Sequence, residues 1–171
     1  MTLFKIFSHC TLGAALALGG AAAYAAAGKA PDIQASTQTH KIVRIDGKES
    51  FIPTRVLALD DIVQYTMDYN NTTAKKLHNI QATFKIPQYM NYVGNSLQPT
   101  PTHAKTADSK EWKRYPVLEY VKGIPQEVSP SNYQAFSWVI PTIEPKQTVR
   151  ITLRSKLVDR PTPVPYSWGF F

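Results

Sequence analysis

Cysteine is nearly absent: Cys10 is the only one among 171 residues, and it lies in an apolar stretch near the start. Beyond that stretch no disulfide, thiol nucleophile or cysteine-based metal site is available. Apolar runs long enough to cross a membrane as a helix are missing after residue 27. Histidine is sparse there too, with His40, His78 and His103 only. No two stand four apart, and neither His-Glu-x-x-His nor Gly-x-Ser-x-Gly occurs. Acids are outnumbered, 12 Asp and Glu against 19 Lys and Arg, for a formal charge of +7. Asp60, Asp61 and Asp68 are too few for a calcium loop. No long segment has a period of 3.6, and residues 74–78 allow one helical turn at most.

What the chain does have begins with a leader. Residues 1–9 carry Lys5 and no acid, Cys10 to Leu18 are apolar, and Ala23-Tyr24-Ala25 and Ala25-Ala26-Ala27 fit small-x-small cleavage. Residues 1–27 are therefore read as a secretory signal peptide. A retained anchor would need ~20 strongly apolar residues, and this core is shorter and rich in Gly and Ala. Cys10 does not fit a lipoprotein cysteine, because Phe7-Ser8-His9 precede it and it opens the apolar core. Cleavage places the rest outside the cytoplasm with a formal charge of +6, since Lys5 is lost.

Residues 28–38 are polar and read as a flexible lead-in, ahead of a folded unit over 39–159. Lys41 to Ile45 is a strand candidate, Asp46-Gly47 a two-residue turn, and Ser50-Phe51-Ile52 a returning strand. Val63, Tyr65, Met67 and Tyr69 alternate with polar residues, and Ile80, Ala82, Phe84 and Ile86 do the same. A period of two gives each strand one apolar face. Met90 to Val93, Val117 to Val121, Phe136 to Ile140 and Val149 to Leu157 follow, and residues 94–116 read as a long loop. Nine prolines between 53 and 145 fall between apolar runs and punctuate them, since proline cannot donate to a ladder. About seven short strands predict an all-β fold, an immunoglobulin-like antiparallel β-sandwich.

The order of motifs resembles a known family. Asp61-Ile62-Val63-Gln64-Tyr65 through Asn70 is followed by Asn79-Ile80, Ile86-Pro87 and Tyr92-Val93-Gly94-Asn95-Ser96. Later come Tyr133 to Pro141 and Ile143-Glu144-Pro145-Lys146-Gln147-Thr148. Over roughly residues 55–157 this is similar to the repeat domain of bacterial surface and exported proteins called domain of unknown function eleven. The resemblance implies an immunoglobulin-like fold outside the cytoplasm and supplies no catalytic residues. Two departures stand out: Asp60 and Lys146 occupy places where that family usually has glycine, and the domain occurs here as a single copy.

Two groups of residues are candidates for contact. Arg150, Arg154 and Lys156 share one face of the last strand. They suit an anionic glycan or lipid surface. They also suit a solvated edge strand that charge protects from pairing. Lys75, Lys76, Lys110, Lys113 and Arg114 add positive loops. Nucleic acid is not expected, since no stacking motif accompanies the charge. Residues 160–171 form a tail with Pro161, Pro163 and Pro165, then Tyr166, Trp168, Phe170 and Phe171. These aromatics lie past the last strand and are candidates for contact with an envelope protein. The Asn70-x-Thr72 and Asn71-x-Thr73 sequons are read as turn residues.

The expected function is an exported, non-enzymatic binding or structural module of the bacterial cell envelope, with no cofactor. The alternative from another class is a small secreted hydrolase or metal-dependent enzyme with a loop-built site from His103, Asp108 and Glu111.

Overall fold

The structure is a computed structural model that describes residues 32–54 and 56–159. The signal-peptide segment 1–27 and the tail 160–171 lie outside the described residues. The strands are β1 (Ile33–Ile45), β2 (Lys48–Ile52), β3 (Ile62–Asn71), β4 (Leu77–Lys85), β5 (Met90–Tyr92) and β6 (His103–Thr106). They continue with β7 (Lys113–Arg114), β8 (Leu118–Val121), β9 (Ile124–Glu127), β10 (Tyr133–Ile143) and β11 (Thr148–Leu157). One 3₁₀ turn, Pro130–Asn132, precedes β10.

The fold is all-β. One sheet has the order β2-β1-β3-β11-β5, a second has β4-β10-β6-β7, and β8 and β9 form a separate ribbon. All named pairings are antiparallel. The two larger sheets pack as a sandwich, and the alternation in the sequence says why. Val63, Met67 and Tyr69 of β3 and Ile151, Leu153 and Leu157 of β11 are buried from one side. Ala82, Phe136, Trp138, Ile140 and Ala104 are buried from the other. Rings from both layers interlock: the Tyr92 and Phe136 centroids lie 4.9 Å apart, as do those of Tyr65 and Phe84. Burying one such aromatic or branched aliphatic side chain contributes about 2 kcal/mol.

Several elements depart from the sequence expectation. Residues 33–38 are no lead-in: they form the first half of β1, paired from Ile33↔Asn71 onward. Their polarity matches their exposure: Ile33 is buried in the core, and Gln34 to Gln38 are exposed. The 94–116 segment contains β6 and β7. Two prolines lie within strands. Pro141 sits in β10, where the register passes from Ile140↔Ile80 to Thr142↔His78, and Asn79 opposite it is left-handed with φ 54°. Pro125 sits in β9, in a ribbon of only two strands whose outer edges need no donor. The last strand is not an edge either: β11 lies between β3 and β5.

The chain changes sheets between β3 and β4 and between β10 and β11, and one side chain closes both crossovers. Asn71 is fully buried, and its Nδ2 donates to the carbonyls of Lys75, Ile143 and Glu144 at 2.7, 3.0 and 3.0 Å. Its Oδ1 accepts from the Thr73 N–H and hydroxyl at 2.9 and 2.7 Å. A buried amide is stable only with its polar atoms matched in this way.

Candidate functional site

The cationic stripe lies on the outer face of the first sheet, as its alternation predicted. Each cation there is held by a carboxylate of the same chain. Arg150 makes a two-pronged contact with Asp68 of β3, Nε to Oδ1 at 2.7 Å and a terminal nitrogen to Oδ2 at 2.9 Å. Arg154 grips Glu49 of β2 at 3.0 and 2.8 Å and donates through Nε to Gln64 Oε1 at 3.1 Å. Lys156 reaches Asp60 at 3.0 Å. On the opposite face, across from buried Val63, Lys41 reaches Asp61 at 2.7 Å. The hydrogen bond from Arg150 holds the Asp68 carboxyl below the usual carboxylate range, and that from Arg154 does the same for Glu49. A planar guanidinium matched to both oxygens of a carboxylate has little left to offer an outside anion. These pairs link β11 to β3, to β2 and to Asp60 just ahead of β3.

The structure does not gather His103, Asp108 and Glu111. His103 lies in β6, opposite Arg114 of β7, while Asp108 and Glu111 lie in the turn between these strands. Among the described residues no three His, Cys, Asp or Glu side chains are close enough to share a metal ion. Tyr166, Trp168, Phe170 and Phe171 lie outside the described residues.

Sequence reasoning found β8 within its Val117 to Val121 run but missed β9 and the ribbon the two strands form. Its two strands pair from Leu118↔Glu127 to Val121↔Ile124 around Lys122 and Gly123, which both have positive φ, 52° and 81°. Such a pair of left-handed residues closes a tight hairpin whose twist matches its strands. All eight strand residues are exposed, Tyr120 at 74% and Ile124 at 61%. Cross-strand partners share a face. Tyr120 and Pro125 therefore mark one face near the tip, and Val121 and Ile124 mark the other. Since all eight residues are exposed, neither face of the ribbon packs against the body of the protein.

The base of the ribbon is fixed. Val117 and Val128 are buried and joined by the bond from the Val128 N–H to the Val117 carbonyl, 3.0 Å. The Tyr133 hydroxyl accepts from the Val117 N–H at 3.1 Å and donates to Glu127 Oε1 at 3.2 Å. Burial pushes the Tyr133 hydroxyl up to about 12, and burial also raises that of Tyr115 beside it. An open groove lined by Lys113, Tyr115, Pro116 and Leu118 runs along this base. The signal for the ribbon was the Lys122-Gly123 turn between two apolar pairs, which Pro125 obscured.

No family model, curated protein or solved structure matches the chain. The likeness to domain of unknown function eleven rests on the motifs alone. At Asp60 and Lys146 the backbone is left-handed, with φ 65° and 60°. Glycine adopts this region without strain.

Proposed function

We propose that this chain is an exported, non-enzymatic binding module of the bacterial cell envelope, and that the β8–β9 ribbon is its contact element. The observation that carries the reading is the ribbon's exposure of Leu118, Tyr120, Val121 and Ile124 on a base pinned by Tyr133. Large apolar groups held away from the core in a fixed shape contribute nothing to folding and suit insertion between surfaces of a partner. Export is supported by the sequence of residues 1–27.

The test is co-sedimentation of the purified protein with isolated envelope from the source cells. The protein should pellet with the envelope. A Tyr120→Ser, Ile124→Ser double variant should stay in the supernatant with an unchanged melting temperature, because both side chains are exposed. Equal pelleting of the two proteins would remove the ribbon from this role.

A further inference from the structure

The outer face of the second sheet differs from the stripe on the first: among the described residues the cations within its strands have no acid partners, and the Lys76–Glu144 pair lies just beyond the ends of β4 and β10. Phe136, Trp138 and Ala104 point into the core, so their neighbours in sequence point out. The register then places Lys85 of β4 and Lys105 of β6 on either side of Ala135. One row along, Thr83, Ser137, His103 and Arg114 lie side by side across all four strands. Neighbouring strands about 4.8 Å apart set Lys85 and Lys105 about 10 Å apart at their Cα atoms. None of Lys85, Lys105, His103 and Arg114 has a carboxylate partner among the described residues. Lys105 instead lies over the ring of Trp112, 5.1 Å from its centroid. Asp108 and Glu111, the nearest acids in sequence, are confined to the β6–β7 turn, which also carries Lys110.

We infer that this face binds an acidic polysaccharide, with Lys85, Lys105 and Arg114 meeting its carboxylates. This role is independent of the ribbon. The charge has no acid partner among the described residues and is spread over three strands, so it suits a repeating polyanion better than one small anion in a pocket. In the row next to Lys85 and Lys105 stand Thr83 and His103, groups able to hydrogen-bond to sugar hydroxyls. A lipid surface is a poorer match, because stable attachment needs apolar insertion beside the charge. Val139 is the one exposed large hydrophobic residue on these four strands. Nucleic acid would call for several stacking rings, and Trp112 already carries Lys105.

The probe is polygalacturonate, titrated into the purified protein by calorimetry at two salt concentrations. Binding should weaken as salt rises, as expected when condensed counterions are displaced. A Lys85→Gln, Lys105→Gln, Arg114→Gln variant should lose at least tenfold in affinity. A charge-matched control, Arg44→Gln, Lys48→Gln, Lys75→Gln, changes exposed cations elsewhere and should stay within twofold of the parent. Loss of the same size in both variants would overturn the assignment, and so would no binding to polygalacturonate by the parent. Binding to vesicles of phosphatidylglycerol but not to the polysaccharide would overturn it in favour of lipid. Thermal melts of both variants show whether any loss comes from unfolding.

Discussion

Asn71 holds more of this fold together than any residue singled out from the sequence. It stands in Asn70-Asn71-Thr72-Thr73, which reads as a turn and matches a glycosylation sequon. Both readings use local information, whereas two of its bonds reach Ile143 and Glu144, 72 and 73 positions away. Its amide nitrogen is already committed to three carbonyls, so it is not presented to solvent. Replacing it by alanine leaves buried carbonyls and the Thr73 N–H without partners. Asn71→Ala should therefore lose on the order of 3 kcal/mol, and Asn70→Ala, next to it and half-buried, much less. Chemical denaturation of the two variants checks this directly. A similar effect from both would show that turn propensity, not the buried network, sets stability there.

Among the elements, those with a clean alternation of side chains were legible, and those without were not. β3, β4, β10 and β11 each bury one apolar face and were all visible in the sequence. β6 carries only Ala104 as an apolar core residue, and β7 is two residues long, so neither left a periodic signal. The first half of β1 left little periodic signal because only Ile33 in it is buried, while Gln34 to Gln38 meet water. The cationic stripe was legible as a face; its partners were not, since Asp68 and Glu49 lie 82 and 105 residues from the arginines they bind. That long reach has an effect on one element. Glu49 belongs to β2, and two strands, β1 and β3, stand between it and β11 in the sheet. The Arg154–Glu49 pair therefore ties the end of the β1–β2 hairpin across the sheet face. Arg154→Ala should raise amide hydrogen exchange in Arg44–Ile52 severalfold while leaving β3 and β10 protected. Exchange that rises evenly over the whole sheet would mean the arginine serves global stability instead.

For the molecule as a whole, charge among the described residues is sorted by sheet: the β11 cations of the first sheet are paired with acids, and those within the strands of the second are not. Stability should fall at both ends of the pH scale for separate reasons. Asp68 and Glu49 are held low by their arginines, so their contribution is present at neutral pH and is lost as pH falls below about 4. Tyr133 is raised to about 12 by burial. Its contribution is complete below the ordinary tyrosine range, near pH 10, and is lost as pH rises from there toward its folded value. Melting temperatures from pH 2 to 12 should form a plateau with two falling limbs, and Asp68→Asn should flatten the acid one. An acid limb unchanged by that substitution would place the sensitive carboxylates elsewhere. The order of strands carries a further consequence, a mechanical one. β1 and β11 both run antiparallel to β3 on its two sides, so they run parallel to each other. Ile33 enters beside Asn71, and Leu157 leaves beyond Ile62, at the opposite end of the same strand. A tension applied between these two points runs along the strands and loads both ladders in shear, so their hydrogen bonds must yield together and not one after another.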